Sequence, residues 1–406
     1  MSTPVFSTPS SLAMARSPQF VTAKNNALAL DTLTEMDLNL RIRTGVLAAS
    51  GSFNYSLSKD YSINQVINFE ISDLVRSEFY HDFSVWNDIG YTQSPQGEAL
   101  WVIPTGSVTY SNNGASPANA TFPDESETAL AYLTTDGWAT RDNIAPVAVT
   151  QPVLATNRNR QVLVGNYESL AINNSVNNDL AEIEIAWNNN DADAFYTTAV
   201  SSSPPDPSSN NSQDLVIYAG VGPANLENNP YIDNVIKPSN HNDGDYYDVI
   251  LKDSGGDTIT SVRYYLVCEP KYDPVQVAFI NRFGVADFIT FFKRSDTRGN
   301  FTQDSYQKSI YNDGFTTPSL EVGKYTSYNV NSRNTLSLNT GFVDQDYDET
   351  IEDILMSEYV AVYTNSNWVS AVPNRGTIEY QKSINTKLIN YTMSFDFAFD
   401  ERSLVR

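Results

Sequence analysis

The sequence predicts a mainly β protein. Its expected architecture is several antiparallel β-sandwich domains, Ig-like in part, with an extended N-terminal arm and few short helices. Three observations carry this. In "LINYTMSFDFAFD" the residues Ile389, Tyr391, Met393, Phe395, Phe397 and Phe399 share one side of a period-two pattern, which a helix of period 3.6 cannot keep together. From Gln161 onward, short strand-like runs recur between loops rich in Asn, Asp, Gly and Pro, as in an Ig-like sandwich. The stretch "CEPKYDPVQVAFINRFGVADFITFFKRS", Cys268 to Ser295, is dense in β-branched and aromatic residues. It is cut once, at Asn281-Arg282-Phe283-Gly284, as a hairpin would be.

At roughly 150 residues per domain, a chain of 406 residues makes two or three domains. The composition shifts place an arm at 1–35, a β-sandwich at 36–160, an Ig-like β-domain at 161–268 and a C-terminal β-domain at 269–406. The arm holds Pro4, Pro9 and Pro18 among Ser, Thr and Ala, with scattered apolar anchors at Val5, Phe6, Leu12, Met14, Phe20 and Val21. Such a segment gains order by lying along another surface. That surface is either a neighbouring subunit or the chain's own first domain.

In the first domain, "DLNLRIRTG" puts Leu38, Leu40 and Ile42 on one face, with Asn39 and Arg41 on the other. "INQVINFEISDLVRSEF" alternates through Ile67, Phe69 and Ile71, then takes helical spacing at Leu74, Val75 and Phe79, so a strand is expected to run into a short helix. "ALWVIPTGSVTYSNNG" reads as two strands with turns at Pro104-Thr105-Gly106 and Asn112-Asn113-Gly114. In the second domain the strands are QVLVGNYESLAINN, EIEIAW, DLVIYAG, YYDVILKD and ITSVRYYLVC. The polar segments Ser201–Asp214 and "NHNDGDYYD" between them are expected to be exposed. In the third, strands over 275–281 and 285–292 flank the Gly284 turn, and "DETIEDILMSEYVAVY" suggests a helix carrying Ile351, Ile354 and Leu355, capped by Asp348, then a strand.

Composition excludes several functions. No apolar run approaches the roughly 18 residues of a membrane helix, and the N-terminus lacks the basic start and apolar core of a cleaved signal peptide. With 25 Lys+Arg against 48 Asp+Glu, the net charge is −23. Such a surface repels nucleic-acid phosphates, so sequence-specific nucleic-acid binding is not expected. The acidity reads as solubility in a salty environment, or as a surface past which DNA slides without sticking. One cysteine, Cys268, forms no internal disulfide.

Chemistry is sparse. The two histidines, His81 and His241, stand far apart and cannot build a three-histidine metal site. His81 lies among aromatics in "EFYHDFSVW" and reads as structural; His241 lies in a polar loop and reads as solvated. Cys268 ends an alternating strand and reads as a buried, inert thiol. No G-x-S-x-G elbow, P-loop or dinucleotide fingerprint is present. "VDQDYDE" sets Asp344, Asp346 and Asp348 at alternate positions but lacks the glycine and the terminal glutamate of an EF-hand. With "NNNDADA" and "NHNDGDYYD" it is at most an opportunistic Ca²⁺ loop. No catalytic, cofactor-binding or metal-ligating residue is assigned, and no enzyme activity is expected.

Four segments also carry a resemblance: "TPSSLAMARSPQFVTA" (Thr8 to Ala23), "INFEISDLVR", "CEPKYDPVQVAFINRFGVADFITFFKRS" and "LINYTMSFDFAFDERSLVR". As a set they resemble virion structural proteins of tailed bacteriophages of Bacteroidetes and other aquatic bacteria. The resemblance implies a non-enzymatic particle component of the tail or neck, made in the host cytoplasm and located in the virion. Its partners would be copies of itself and other virion proteins. The other class left open is a host-surface or carbohydrate-binding module on a fibre or adhesin, using exposed aromatics such as Trp138 and Trp187.

Overall fold

The computed structural model describes residues 4–9, 12–24, 31–48, 51–60, 66–112, 116–123, 128–138, 148–175, 179–188, 196–199, 204–232, 237–269, 271–309, 323–376, 389–400 and 402–403. The fold is mainly β, built of several largely antiparallel sheets with four short α-helices among the described residues. It divides into two compact units. One holds residues 1–268 with 279–288; the other holds 269–278 with 289–406.

Two hydrophobic cores lie in the first unit. One sits between a seven-stranded sheet and the three-stranded sheet of Val5–Ser7, Phe20–Lys24 and Val66–Glu70. At the centre of the larger sheet, Asp31–Arg43 pairs antiparallel with Ala99–Asn112. Leu38, Leu40 and Ile42 are buried as the alternation predicts, and Ile67, Phe69 and Ile71 are buried ahead of the helix Ser72–Arg76. Two strands with a turn at Pro104 were expected over 99–112. One continuous strand is found, with Pro104 opposite Leu40 and Gly106 opposite Leu38. Gly106 marks a close approach, since a Cβ there would lie 1.9 Å from the Asp37 carbonyl oxygen. The Asn113-Gly114 turn lies outside the described residues.

The N-terminal segment is not a free arm. Leu12–Met14 is a strand inside the seven-stranded sheet, parallel to Tyr132–Thr135 and antiparallel to Ala148–Val149. Phe20–Lys24 is the central strand of the three-stranded sheet. Leu12, Ala13, Met14, Val21 and Ala23 are buried. The scattered apolar residues alternate over runs of three to five residues, too short to register as strands until their partners are known.

The second core lies between a five-stranded sheet (Asn159–Leu163, Thr258–Val267, Tyr246–Asp253, Leu180–Asn188, Tyr196–Ala199) and a three-stranded one (Ser169–Asn173, Val216–Gly220, Gly90–Gln93). The expected strands are present, except that 161–174 divides into Asn159–Leu163 and Ser169–Asn173 in different sheets and Asp214-Leu215 is helical. The last strand of the smaller sheet, Gly90–Gln93, comes from before residue 160, so the two cores share one unit. The polar loops are less exposed than expected. Asn211 caps the short helix Ser212–Leu215, in which Ser212 and Asp214 are buried. His241 is not solvated: it stacks on buried Trp187 at 3.7 Å with the rings 1° from parallel.

The remaining strands form an eight-stranded sheet, of which residues 279–280 and 286–288, with the turn between them, belong to the first unit and the rest to the second. Its order is Ala286–Phe291, Val275–Ile280, Val360–Thr364, Asn367–Pro373, Ile389–Phe397, Tyr325–Val343 and Asp296–Gln307, with Arg402–Ser403 beside Tyr325–Val343. The hairpin forms as predicted: Asn281 N–H donates to the Val285 carbonyl, and Gly284 takes φ +77°. The helix Tyr347–Met356 buries Ile351 and Ile354. Asp348 does not cap it; Asp346 holds that position, without a side-chain cap bond, and Asp348 accepts from the Tyr391 hydroxyl. In Ile389–Phe397 the alternation buries Ile389, Tyr391, Met393 and Phe395. It fades at half-buried Phe397, and Phe399, past the strand end, is 65% exposed. Register pairing with Asn367–Pro373 ends at Phe397, followed by one more backbone bond from Ala398 N–H to the Ser370 carbonyl at 2.9 Å.

Candidate functional site

Both strands of the hairpin are buried on both faces, polar residues included. That is unlike a half-exposed antiparallel strand, and each buried polar group therefore needs a partner. At the tip, Asn281 Nδ2 donates to the Leu154 carbonyl at 2.7 Å and to Asp287 Oδ2 at 3.2 Å, while its Oδ1 accepts from Phe283 N–H at 2.9 Å. Thr135 Oγ1 donates to the Phe283 carbonyl at 2.7 Å, and Trp138 N–H donates to the Arg282 carbonyl at 2.8 Å. A Cβ on Gly284 would lie 2.5 Å from the backbone of Asp136 and Gly137.

Three charged or acidic groups surround this tip, all in the first unit. Arg160 bridges Asp287 and Glu168 through its two terminal nitrogens. Burial works against the Arg160 charge, but the two carboxylates outweigh it and hold the guanidinium protonated. Burial pushes Glu168 up to about 7, against the pull of Arg160. The Arg160 guanidinium also lies over the Tyr264 ring at 5.8 Å.

In the second group, Glu98 accepts from the Tyr218 hydroxyl and, at 3.0 Å, from Ala286 N–H. Burial pushes the Glu98 carboxyl up to about 8 despite these two bonds. In the third, Arg16 grips Asp136 with two bonds of 2.9 and 2.7 Å, and His81 Nε2 sits 3.1 Å from the same carboxylate. Burial alone would raise Asp136; the bonds from His81 and Arg16 and the Arg16 charge reverse it and hold it below the usual range. His81 is thus the structural histidine expected.

The ion pairs among these groups are closed off, and Glu98 satisfies one carboxyl oxygen while its Oε2 is buried without a partner. The Arg160, Glu168, Asp287, His81 and Asp136 side chains are almost wholly buried, and their arrangement fits anchoring the hairpin tip. Cys268 does not lie in the core. The strand ends at Val267, one residue before the alternation would bury it, and the thiol is exposed. Partial desolvation and the Asp243 carboxylate hold it above its ordinary value, the opposite of nucleophile activation. Among the described residues no group of three or more His, Cys, Asp or Glu could hold a metal ion; "NNNDADA", Asn188 apart, lies outside them. A cleft of about 580 Å³ in the first unit is lined by Leu12, Trp101, Leu130, Leu133 and Leu215 among others, with no carboxylate, histidine, lysine, arginine or cysteine.

The surface offers a different feature. All twelve residues of Asp296–Gln307 are exposed. The strand pairs with Tyr325–Val343 on one side only, and among the described residues nothing pairs with its outer edge. Phe301 and Tyr325 are each 70% exposed, and Tyr306 meets Tyr328 edge-on at 5.7 Å. The aromatics nominated from sequence are elsewhere: Trp138 and Trp187 are buried. Sequence reading passed over this strand because its residues are polar on both faces and show no period-two contrast. It passed over the Arg160 cluster because its members are 8 and 127 positions apart. The one local signal was a charged Asp287 inside the apolar run "GVADFITFF".

No family profile matches the chain, and no curated protein matches it. Among solved structures, trypsin-activated alpha-2-macroglobulin from Escherichia coli aligns over 96% of this chain and 21% of its own, at 11% identity and TM-score 0.20. A marsupial T cell receptor aligns over 83% of this chain and 96% of its own, at 10% identity and TM-score 0.16. The chain therefore spans about a fifth of the macroglobulin it aligns with.

Proposed function

We propose that this chain is a non-enzymatic structural component of a tailed-phage virion, in the tail or neck, that works by assembling with copies of itself and with other virion proteins. The observation that carries the assembly reading is the strand Asp296–Gln307, exposed along its whole length at a sheet edge. Proteins that stay monomeric blunt such edges with lysines, prolines, bulges or covering segments. This strand contains no lysine and no proline, and its irregularity falls on the partner strand, where Asn329 takes φ +49°. The internal ion pairs support the same reading, since they serve rigidity and face no cleft. The virion assignment rests on the sequence resemblance.

The test is the size and shape of the purified protein. Light scattering should show an oligomer, and negative-stain images should show discrete particles of uniform size and symmetry. Mass spectrometry of purified virions should find the chain as a stoichiometric component. A monomer at every concentration, absent from particles, overturns the reading. A glycan-binding role is not carried by the residues first nominated for it, because Trp138 and Trp187 offer no exposed platform.

A further inference from the structure

We propose that Asp296–Gln307 is a self-complementary seam. Two copies of the chain would pair it antiparallel about a two-fold axis at Phe301, joining their eight-stranded sheets edge to edge. The proposal rests on the assembly reading and names its surface and its register.

Charge selects the occupant. The chain carries −23, so two copies repel over most of their surfaces. The two strands of this edge do not share that excess. Asp296 and Asp304 are balanced by Arg298 and Arg333, and no other charged residue occurs in Asp296–Gln307 or Tyr325–Val343. Two acidic copies can therefore meet here without a net charge on either strand pair.

Charge also selects the register. A two-fold axis makes the contact isologous, so each residue meets its counterpart by reflection of position. Centring on Phe301 sets Arg298 opposite Asp304 on both sides of the axis and Phe301 opposite its own copy. Opposite charges and aromatic pairs directly across an antiparallel ladder are stabilising, and like charges are destabilising. Centring one residue earlier, on Asn300, would set Asp296 opposite Asp304. Arg298 makes no ion pair within the chain among the described residues, whereas Asp304 accepts from Asn329 Nδ2 at 2.8 Å, which holds it in place. Because the irregularity lies on Tyr325–Val343, the strand itself alternates without interruption. Its outward N–H and C=O groups can then meet those of a second copy in step.

The experiment uses the full chain. Arg298→Asp sets Asp against Asp304 on both sides of the axis, and Asp304→Arg sets Arg against Arg298 on both sides, so each single variant should self-associate about tenfold more weakly or worse. Mixed one to one, the two variants restore opposite charges at both positions and should form a heterodimer of wild-type affinity. Both sites are exposed, and circular dichroism verifies that each variant folds. Separately, Phe301→Cys in a Cys268→Ser background should give a disulfide-linked dimer on mild oxidation. Tyr306→Cys in the same background should not, since it lies opposite Asp296.

If the wild type assembles but the charge variants associate equally well and Phe301→Cys does not cross-link, the seam is overturned while the assembly reading stands. If the wild type is monomeric at all concentrations, both fall.

Discussion

Arg160 and Asp287 are 127 positions apart and form an ion pair in the interior of the first unit, at the base of the hairpin turn. Arg160 spends its other terminal nitrogen on Glu168. The Asp287 backbone sits in a run where every neighbour is apolar or paired.

Breaking that pair should be costly. Asp287→Ala leaves Arg160 buried with half of its compensation, and loss of one partner of a buried pair costs roughly 3–5 kcal/mol. Urea unfolding followed by fluorescence should show a lower midpoint with little change of slope. A shift of under about 0.5 kcal/mol, the range of ordinary surface substitutions, would mean that the pair does not anchor the hairpin.

Glu98 sets a pH dependence. Its folded value, about 8, lies above the ordinary carboxyl value. Between the two the folded state keeps a proton that the unfolded state has lost. Stability from this group is therefore full at acid pH and declines as pH rises through 8, by at most about 1.4 kcal/mol per pH unit. Glu98→Gln, which cannot ionise, should flatten the fall of stability between pH 5 and 8. An unchanged slope in denaturant titrations across that range would show that Glu98 is not held protonated.

The C-terminal strand separates two phenylalanines of similar sequence context. Phe395 is fully buried and meets Phe291 edge-on at 5.9 Å, so Phe395→Ala should cost about 3–5 kcal/mol. Phe399 is 65% exposed, and Phe399→Ala should fall within about 0.5 kcal/mol of wild type. Calorimetry of the two variants side by side distinguishes them; equal melting temperatures would contradict the strand end at Phe397.

Deleting residues 2–24 tests the fate of the N-terminal segment. The deletion removes strands from two sheets and takes buried Leu12, Met14 and Val21 from the first unit. The shortened chain should be insoluble, or should melt far below the full chain. A soluble product with the wild-type melting temperature would mean that the segment is a detachable arm after all.

Sequence alone determined what depends on neighbours in the chain. The period of two marked Leu38-Leu40-Ile42 and Ile389 to Phe395 as strands with one buried face, because successive side chains of a strand point to opposite sides. Gly284 marked the turn, because its positive φ suits a residue without a Cβ. Wherever the decisive partner is distant in sequence, only the tertiary structure decided. Leu12–Met14 became a strand because Tyr132–Thr135 and Ala148–Val149 lie on either side of it. Pro104 stayed inside a strand because Leu40 lies opposite. Trp187 and His241 were buried on one another although His241 sits in a polar loop. The candidate surface was hidden for a related reason: a strand exposed on both faces has no apolar period, and what distinguishes Asp296–Gln307 is an outer edge with which no described strand pairs, which only the assembled sheet defines.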